Sequence, residues 1–319
     1  MKPKFVRERV LPAYVTERTV SSDAGELQVY MILSEALALS PTSWLDAQGP
    51  SLSSLGALNC FVRANVTPDE VDAPHRIIHR VGQITLSALA AEYRAPIVDP
   101  LELRAHLLEY ASREGRSFLQ LHDLLDYCWM SGIPVVHVRS FGDSIKKMDA
   151  AVANVEGRPV IAICRDDKAF AKICFKLAHE LGHIAMNHWQ EFGLIAETEM
   201  TKPDERDLEQ AANRYAISLL YGDPDYSASH ALDEWGAGWE MEARSHGIDP
   251  HAFLLVYLRE NGGYNRLGLL EKRFASGQDA RHQVLETLFK HVKLESLGKE
   301  SQRQLVSLME ASDFGSPSC

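Results

Sequence analysis

Residues 176–188 read Lys176-Leu177-Ala178-His179-Glu180-Leu181-Gly182-His183-Ile184-Ala185-Met186-Asn187-His188, and the fold is read outward from this stretch. If it is helical, His179 and His183 stand four residues apart on one face, close enough for both imidazoles to grip one metal ion. On a helical wheel drawn from about 169 to 189, Phe170, Ile173, Cys174, Leu177, Leu181 and Ile184 form an apolar stripe. His179 and His183 point to the other side with Lys172, Lys176 and Asn187. Ala171, Ala178, Gly182 and Ala185 border the two faces, and such small side chains let a neighbouring helix approach closely. Asp166 or Asp167 is the expected N-cap.

Zinc is the natural metal for this pattern, and a catalytic zinc takes three protein ligands and leaves a fourth position for water. His188 is the nearest third candidate, but a continuous helix would rotate it away from the pair. The long HExxHxxGxxH form is excluded, because Met186 and Trp189 occupy the places of its glycine and third histidine. A carboxylate from a second helix remains. The segment 205–221 (ERDLEQAANRYAISLLY) supplies Glu209 beside a stripe of Leu208, Ala211, Ala212, Tyr215 and Leu219. Asn213, one turn on, is placed to accept a hydrogen bond from a ligand imidazole. Glu205, or Glu197 and Glu199 in the connecting loop, are alternatives.

The segments 176–188 (KLAHELGHIAMNH) and 208–220 (LEQAANRYAISLL) resemble the two signature helices of the ImmA/IrrE family of bacterial and phage metallopeptidases, with similarity extending over about 118–222. The resemblance implies His179, His183 and Glu209 as ligands of one Zn²⁺ per chain and Glu180 as the catalytic carboxylate. It further implies limited proteolysis of a regulatory protein, typically a helix-turn-helix repressor, in stress response or mobile-element transfer. The chain departs from the family in having Leu219-Leu220-Tyr221-Gly222 where Met-Pro often ends the second helix, and in lacking a clear helix-turn-helix.

Upstream of the metal motif, β-like runs at 133–138, 150–155 and 158–164 precede it, and helical spacing covers 71–89, 101–112 and 118–130. The expected fold class is α+β and mostly helical: a zincin-like peptidase core, with a small antiparallel or mixed sheet beside the HExxH helix and a glutamate-bearing helix. Four units are expected: an N-terminal helical unit (1–58), a helical lead-in (59–117), the zinc peptidase core (118–224) and a C-terminal helical unit (225–319). Residues 26–56 fit a degenerate helix-turn-helix without a basic recognition helix.

With 33 Lys and Arg against 44 Asp and Glu, the net charge of -11 disfavours a chain that coats nucleic acid. No apolar run reaches membrane-spanning length and no signal peptide opens the sequence, so a cytoplasmic protein without a membrane partner is expected. The five scattered cysteines suit neither a disulfide framework nor a thiolate zinc site. For the oxyanion donor of the reaction, Tyr221, Tyr226, His230 and His246 are candidates that spacing does not separate. The alternative function is a non-catalytic zinc-fold regulatory or antitoxin-like binding module. The presence of Glu180 argues against it, because a structural zinc site has no use for a carboxylate beside the metal.

Overall fold

The computed structural model describes residues 15, 21–36, 60–61, 68–138, 149–164, 169–191, 194–196, 203–226, 238–260 and 280–309. In chain order these form α1 (Asp23–Ala36), β1 (Cys60–Phe61), α2 (Pro68–Ser87), α3 (Pro100–Arg113), α4 (Leu121–Met130), β2 (Val135–His137), β3 (Ala150–Val155) and β4 (Arg158–Ile163). There follow α5 (Phe170–Ala185), α6 (His188–Glu191), β5 (Leu194–Ala196), α7 (Pro203–Tyr221), α8 (Gly238–Ser245), α9 (Pro250–Glu260), α10 (Ala280–His291) and α11 (Lys299–Leu308). The architecture is mostly helical around a mixed sheet, as the sequence pattern leads one to expect.

The sheet runs β1-β5-β3-β4-β2. The central β3–β4 pair is antiparallel, β5 is antiparallel to β3, and the outer β1 and β2 run parallel to β5 and β4. Its hairpin turns at Glu156 and Gly157, whose φ of 53° and 79° give the mirror-image turn that matches the right-handed twist of paired strands. AAVANV and RPVIAI are apolar on both sides because both faces of the sheet are covered. Ala150, Val152, Ile161, Ile163 and Ile195 share one core with Ile173, Leu177, Leu181 and Ile184 of α5. Ala151, Ala153, Val155, Val160 and Ala162 share a second core with Ile77 and Val81 of α2, Leu285 and Leu288 of α10, and Leu305 and Leu308 of α11.

The active helix differs from expectation at both ends. The helix does not run to Trp189: α5 ends at Ala185, Met186 is its C-cap, and Asn187 adopts a left-handed φ of 61° before α6 begins. Its cap position is Ala169, which makes no side-chain capping bond, while Asp166 and Asp167 lie outside the described residues. The histidine face, opposite the apolar stripe, is buried as well. Lys176, His179, Glu180 and His183 are all buried: α7 packs over the histidines, and Lys176 reaches Asp149 at the end of the sheet. Of the helix-turn-helix expected at 26–56, residues up to Ala36 lie in α1 and 37–56 lie outside the described residues.

Cys128, Cys164 and Cys174 are free and buried, acting as small hydrophobes. No helix among the described residues is long and apolar enough to cross a membrane.

Candidate metal centre

The site is built where α5 and α7 cross. Gly182, between the two histidines, makes that crossing close: a Cβ added there would lie 3.0 Å from the Cβ of Tyr215 on α7. Tyr215 is held from its far end by a hydrogen bond from its hydroxyl to the Ile97 carbonyl at 2.8 Å. The end of α7 is fixed as well. Arg104 of α3, buried at 8% exposure, donates to the carbonyls of Leu219 (3.0 Å), Leu220 (2.7 Å) and Gly247 (2.6 Å). Orphan carbonyls at a helix C-terminus are satisfied in this way, and the positive charge suits the negative end of the helix. Burial pushes the Arg104 pKa down, but the group remains a cation.

This frame brings Glu209 of α7 onto the histidine pair of α5. Nε2 of His179 and Nε2 of His183 are 3.1 Å apart, and the Glu209 carboxylate lies 3.2 Å from the first and 3.4 Å from the second. Two atoms bound tetrahedrally at about 2.0–2.1 Å from zinc are separated by roughly 3.3 Å, so the three edges have the size that a shared zinc ion would set. Among the described residues no fourth His, Cys, Asp or Glu joins this group, which leaves room for one more ligand.

The far nitrogens of both imidazoles are engaged. His179 Nδ1 lies 3.1 Å from Oδ1 of Asn213, and His183 Nδ1 lies 2.9 Å from Nδ1 of His188. An amide oxygen only accepts, so His179 carries a proton on Nδ1, which leaves Nε2, the atom facing Glu209, as the one that can coordinate a metal once it has no proton. Burial, opposed by Glu209, lowers the His183 pKa to about 4, so its ring is neutral at neutral pH. Burial pushes the Glu209 carboxyl up, but the two histidines facing it outweigh burial and hold it at about 2 while no metal is bound, which keeps it a carboxylate at neutral pH. Two imidazoles, whose Nε2 atoms are free of protons when they coordinate, and one carboxylate form a donor set that fits a divalent cation.

Glu180, buried at 1% exposure, follows His179 on the same helix. Lys176, one turn earlier, reaches Asp149 at the start of β3 at 3.5 Å and ties the helix to the end of the sheet. The structure does not bring the tyrosine candidates to the triad. Tyr221 is twelve residues beyond Glu209, about 18 Å along the helix, and its hydroxyl donates to the Ala252 carbonyl at 3.1 Å. Tyr226 stacks on Tyr221 with ring centroids 5.0 Å apart, and so lies at that same end of α7. His246 is exposed at the end of α8, where its backbone N–H closes the last turn. The side chains of Glu197, Glu199, Glu205 and His230 lie outside the described residues. Sequence reasoning set His188 aside and missed Arg104. The first was hidden by the assumed continuous helix, and the second acts through residues more than a hundred positions away.

A second cluster, Glu114, His122 and Asp123, is centred on Arg116. Its guanidinium holds Asp123 at 2.7 and 2.8 Å and Glu114 at 2.7 Å, so the cation is already supplied.

A three-donor site on two packed helices beside a covered mixed sheet is compatible with a metallopeptidase-type domain. Residues 132–234 match the family model Peptidase_M78, the IrrE N-terminal-like domain. The match supports the ImmA/IrrE metallopeptidase resemblance, and it spans β2 to just beyond α7, including the whole donor set. No curated protein matches the chain.

Proposed function

We propose that the chain is a zinc-dependent endopeptidase of zincin-like architecture that makes a limited cut in a regulatory protein, a helix-turn-helix repressor, in the cytoplasm. The observation that carries this reading is the convergence of His179, His183 and Glu209 at 3.1–3.4 Å with Glu180 adjacent on α5. His179, His183 and Glu209 would hold the metal, one ion per chain. Zinc, when bound, supplies Lewis acidity toward the scissile carbonyl and acidifies a water in the open position.

The chain's own residues do the rest. Asn213 accepts from His179 Nδ1–H and so keeps its ring turned toward the metal. Glu180, next to His179 on α5, accepts a proton from the water as its oxygen bonds to the scissile carbonyl carbon, and returns that proton to the leaving nitrogen as the C–N bond breaks. One water is consumed, and a carboxylate and an amine are released. The α5–α7 packing and the sheet keep these groups in place without movement at the moment of reaction.

The test is cleavage of a proteome-derived peptide library by the zinc-loaded protein, read by mass spectrometry. Cuts that disappear with a chelator and with Glu180→Gln support the endopeptidase. If wild type and Glu180→Gln give the same peptides while both hold zinc, the reading moves to a zinc-fold binding module.

A further inference from the structure

His183 and His188 face each other through their Nδ1 atoms at 2.9 Å, with ring centroids 5.1 Å apart and planes at 64°. A continuous helix forbids this contact, since five residues would turn His188 about 140° away and carry it about 7.5 Å along the axis. The left-handed Asn187 reverses the chain, and α6 carries His188 back to the helix it follows. Trp189 anchors the return: it is buried at 3% exposure with its ring edge-on to Tyr93, centroids 5.8 Å apart. The fold thus spends a helix break and a buried indole on placing one half-buried imidazole.

Only one proton lies between two Nδ1 atoms at this distance. His183 Nε2 is the atom that faces His179 and Glu209, so as a ligand it needs its lone pair there and its proton on Nδ1. His188 must then accept at Nδ1 and keep its own proton on Nε2. Its Nδ1 is committed to His183, not to the triad, so it leaves the fourth position open.

We propose that His188 is a positioning residue for the metal: it fixes the tautomer and orientation of His183 as Asn213 does for His179. This rests on the zinc reading above, and the two fail separately. Partners of this kind are worth about tenfold to a hundredfold in metal affinity.

The experiment is a competition titration of zinc against a chromophoric chelator, on wild type, His188→Ala, His188→Gln and Asn213→Ala, with circular dichroism of each metal-free form. The expected result is a Kd raised about 10–100-fold in His188→Ala and Asn213→Ala. His188→Gln, whose amide oxygen also accepts from Nδ1–H, returns it to within a few-fold of wild type. As a second readout, long-range ¹H–¹⁵N spectra of the zinc-loaded wild type should show His188 as the Nε2–H tautomer. A Kd for His188→Ala within twofold of wild type, or an Nδ1–H tautomer at His188, overturns the role of His188 and leaves the zinc site standing. Failure of wild type to bind zinc overturns both.

Discussion

Gly182 and Tyr215 meet so closely that even a methyl group between them would be crowded: a Cβ on the glycine would stand 3.0 Å from the tyrosine Cβ and 3.2 Å from its ring. The near atom belongs to the stem of Tyr215, which does not swing aside, and its hydroxyl is tied to Ile97. Gly182→Ala should therefore push α7 away from α5. We expect a loss of about 1–3 kcal/mol in urea unfolding, together with weaker zinc binding because Glu209 rides on α7. Unchanged affinity with the same stability loss would mean that Glu209 does not depend on this approach.

Glu180→Gln preserves the size of the side chain and removes its basicity. Zinc content should stay at the wild-type level while peptide-library cleavage falls by about 10²–10⁴-fold, the usual worth of a general base. Loss of zinc in this variant would instead make Glu180 a ligand.

Arg104→Met keeps much of the apolar stem and deletes the donors to Leu219, Leu220 and Gly247. Three buried carbonyls are left without that partner, and the expected cost is about 2–4 kcal/mol, measured by chemical denaturation. A cost under about 0.5 kcal/mol would place the end of α7 under other control.

Asp249 caps α9, accepting from the backbone N–H of His251 at 2.8 Å and of Ala252 at 3.1 Å. Burial raises its pKa, partly offset by His251 and by the two backbone bonds. With the folded value above the unfolded one of about 3.9, the folded state holds the proton more tightly, so this group removes stability as pH rises from about 4. Asp249→Asn keeps the accepting oxygen and loses the charge. The difference in urea midpoint, Asn variant minus wild type, should grow from pH 4 to pH 7, whereas Asp249→Ala should lose about 1 kcal/mol of capping at neutral pH. A difference that is flat across this range would contradict the sign.

The pattern of the chain made the centre of this molecule legible. Four-residue spacing placed His179 with His183, a second amphipathic segment offered Glu209 with Asn213 one turn on, and the small residues marked where two helices cross. What stayed hidden depended on backbone choices with weak local signals. Asn187 is tolerated both in a helix and in the left-handed region, so nothing in its neighbourhood announced the break that returns His188. The strands Cys60–Phe61 and Leu194–Ala196 are too short to show alternation. Lys176 was read with the histidines on a polar side, and it is buried with its ammonium against Asp149 at the end of the sheet. Arg104 looks like any helix-surface cation until the fold brings α7 to it.

The most direct test of the central claim is zinc content, measured by elemental analysis on protein purified without chelator or nickel, for wild type, His179→Ala and Glu209→Ala. The account predicts about one zinc per chain in wild type and loss of it in both variants. A folded wild type that holds no zinc, or a Glu209→Ala variant that keeps it, would contradict the three-donor site.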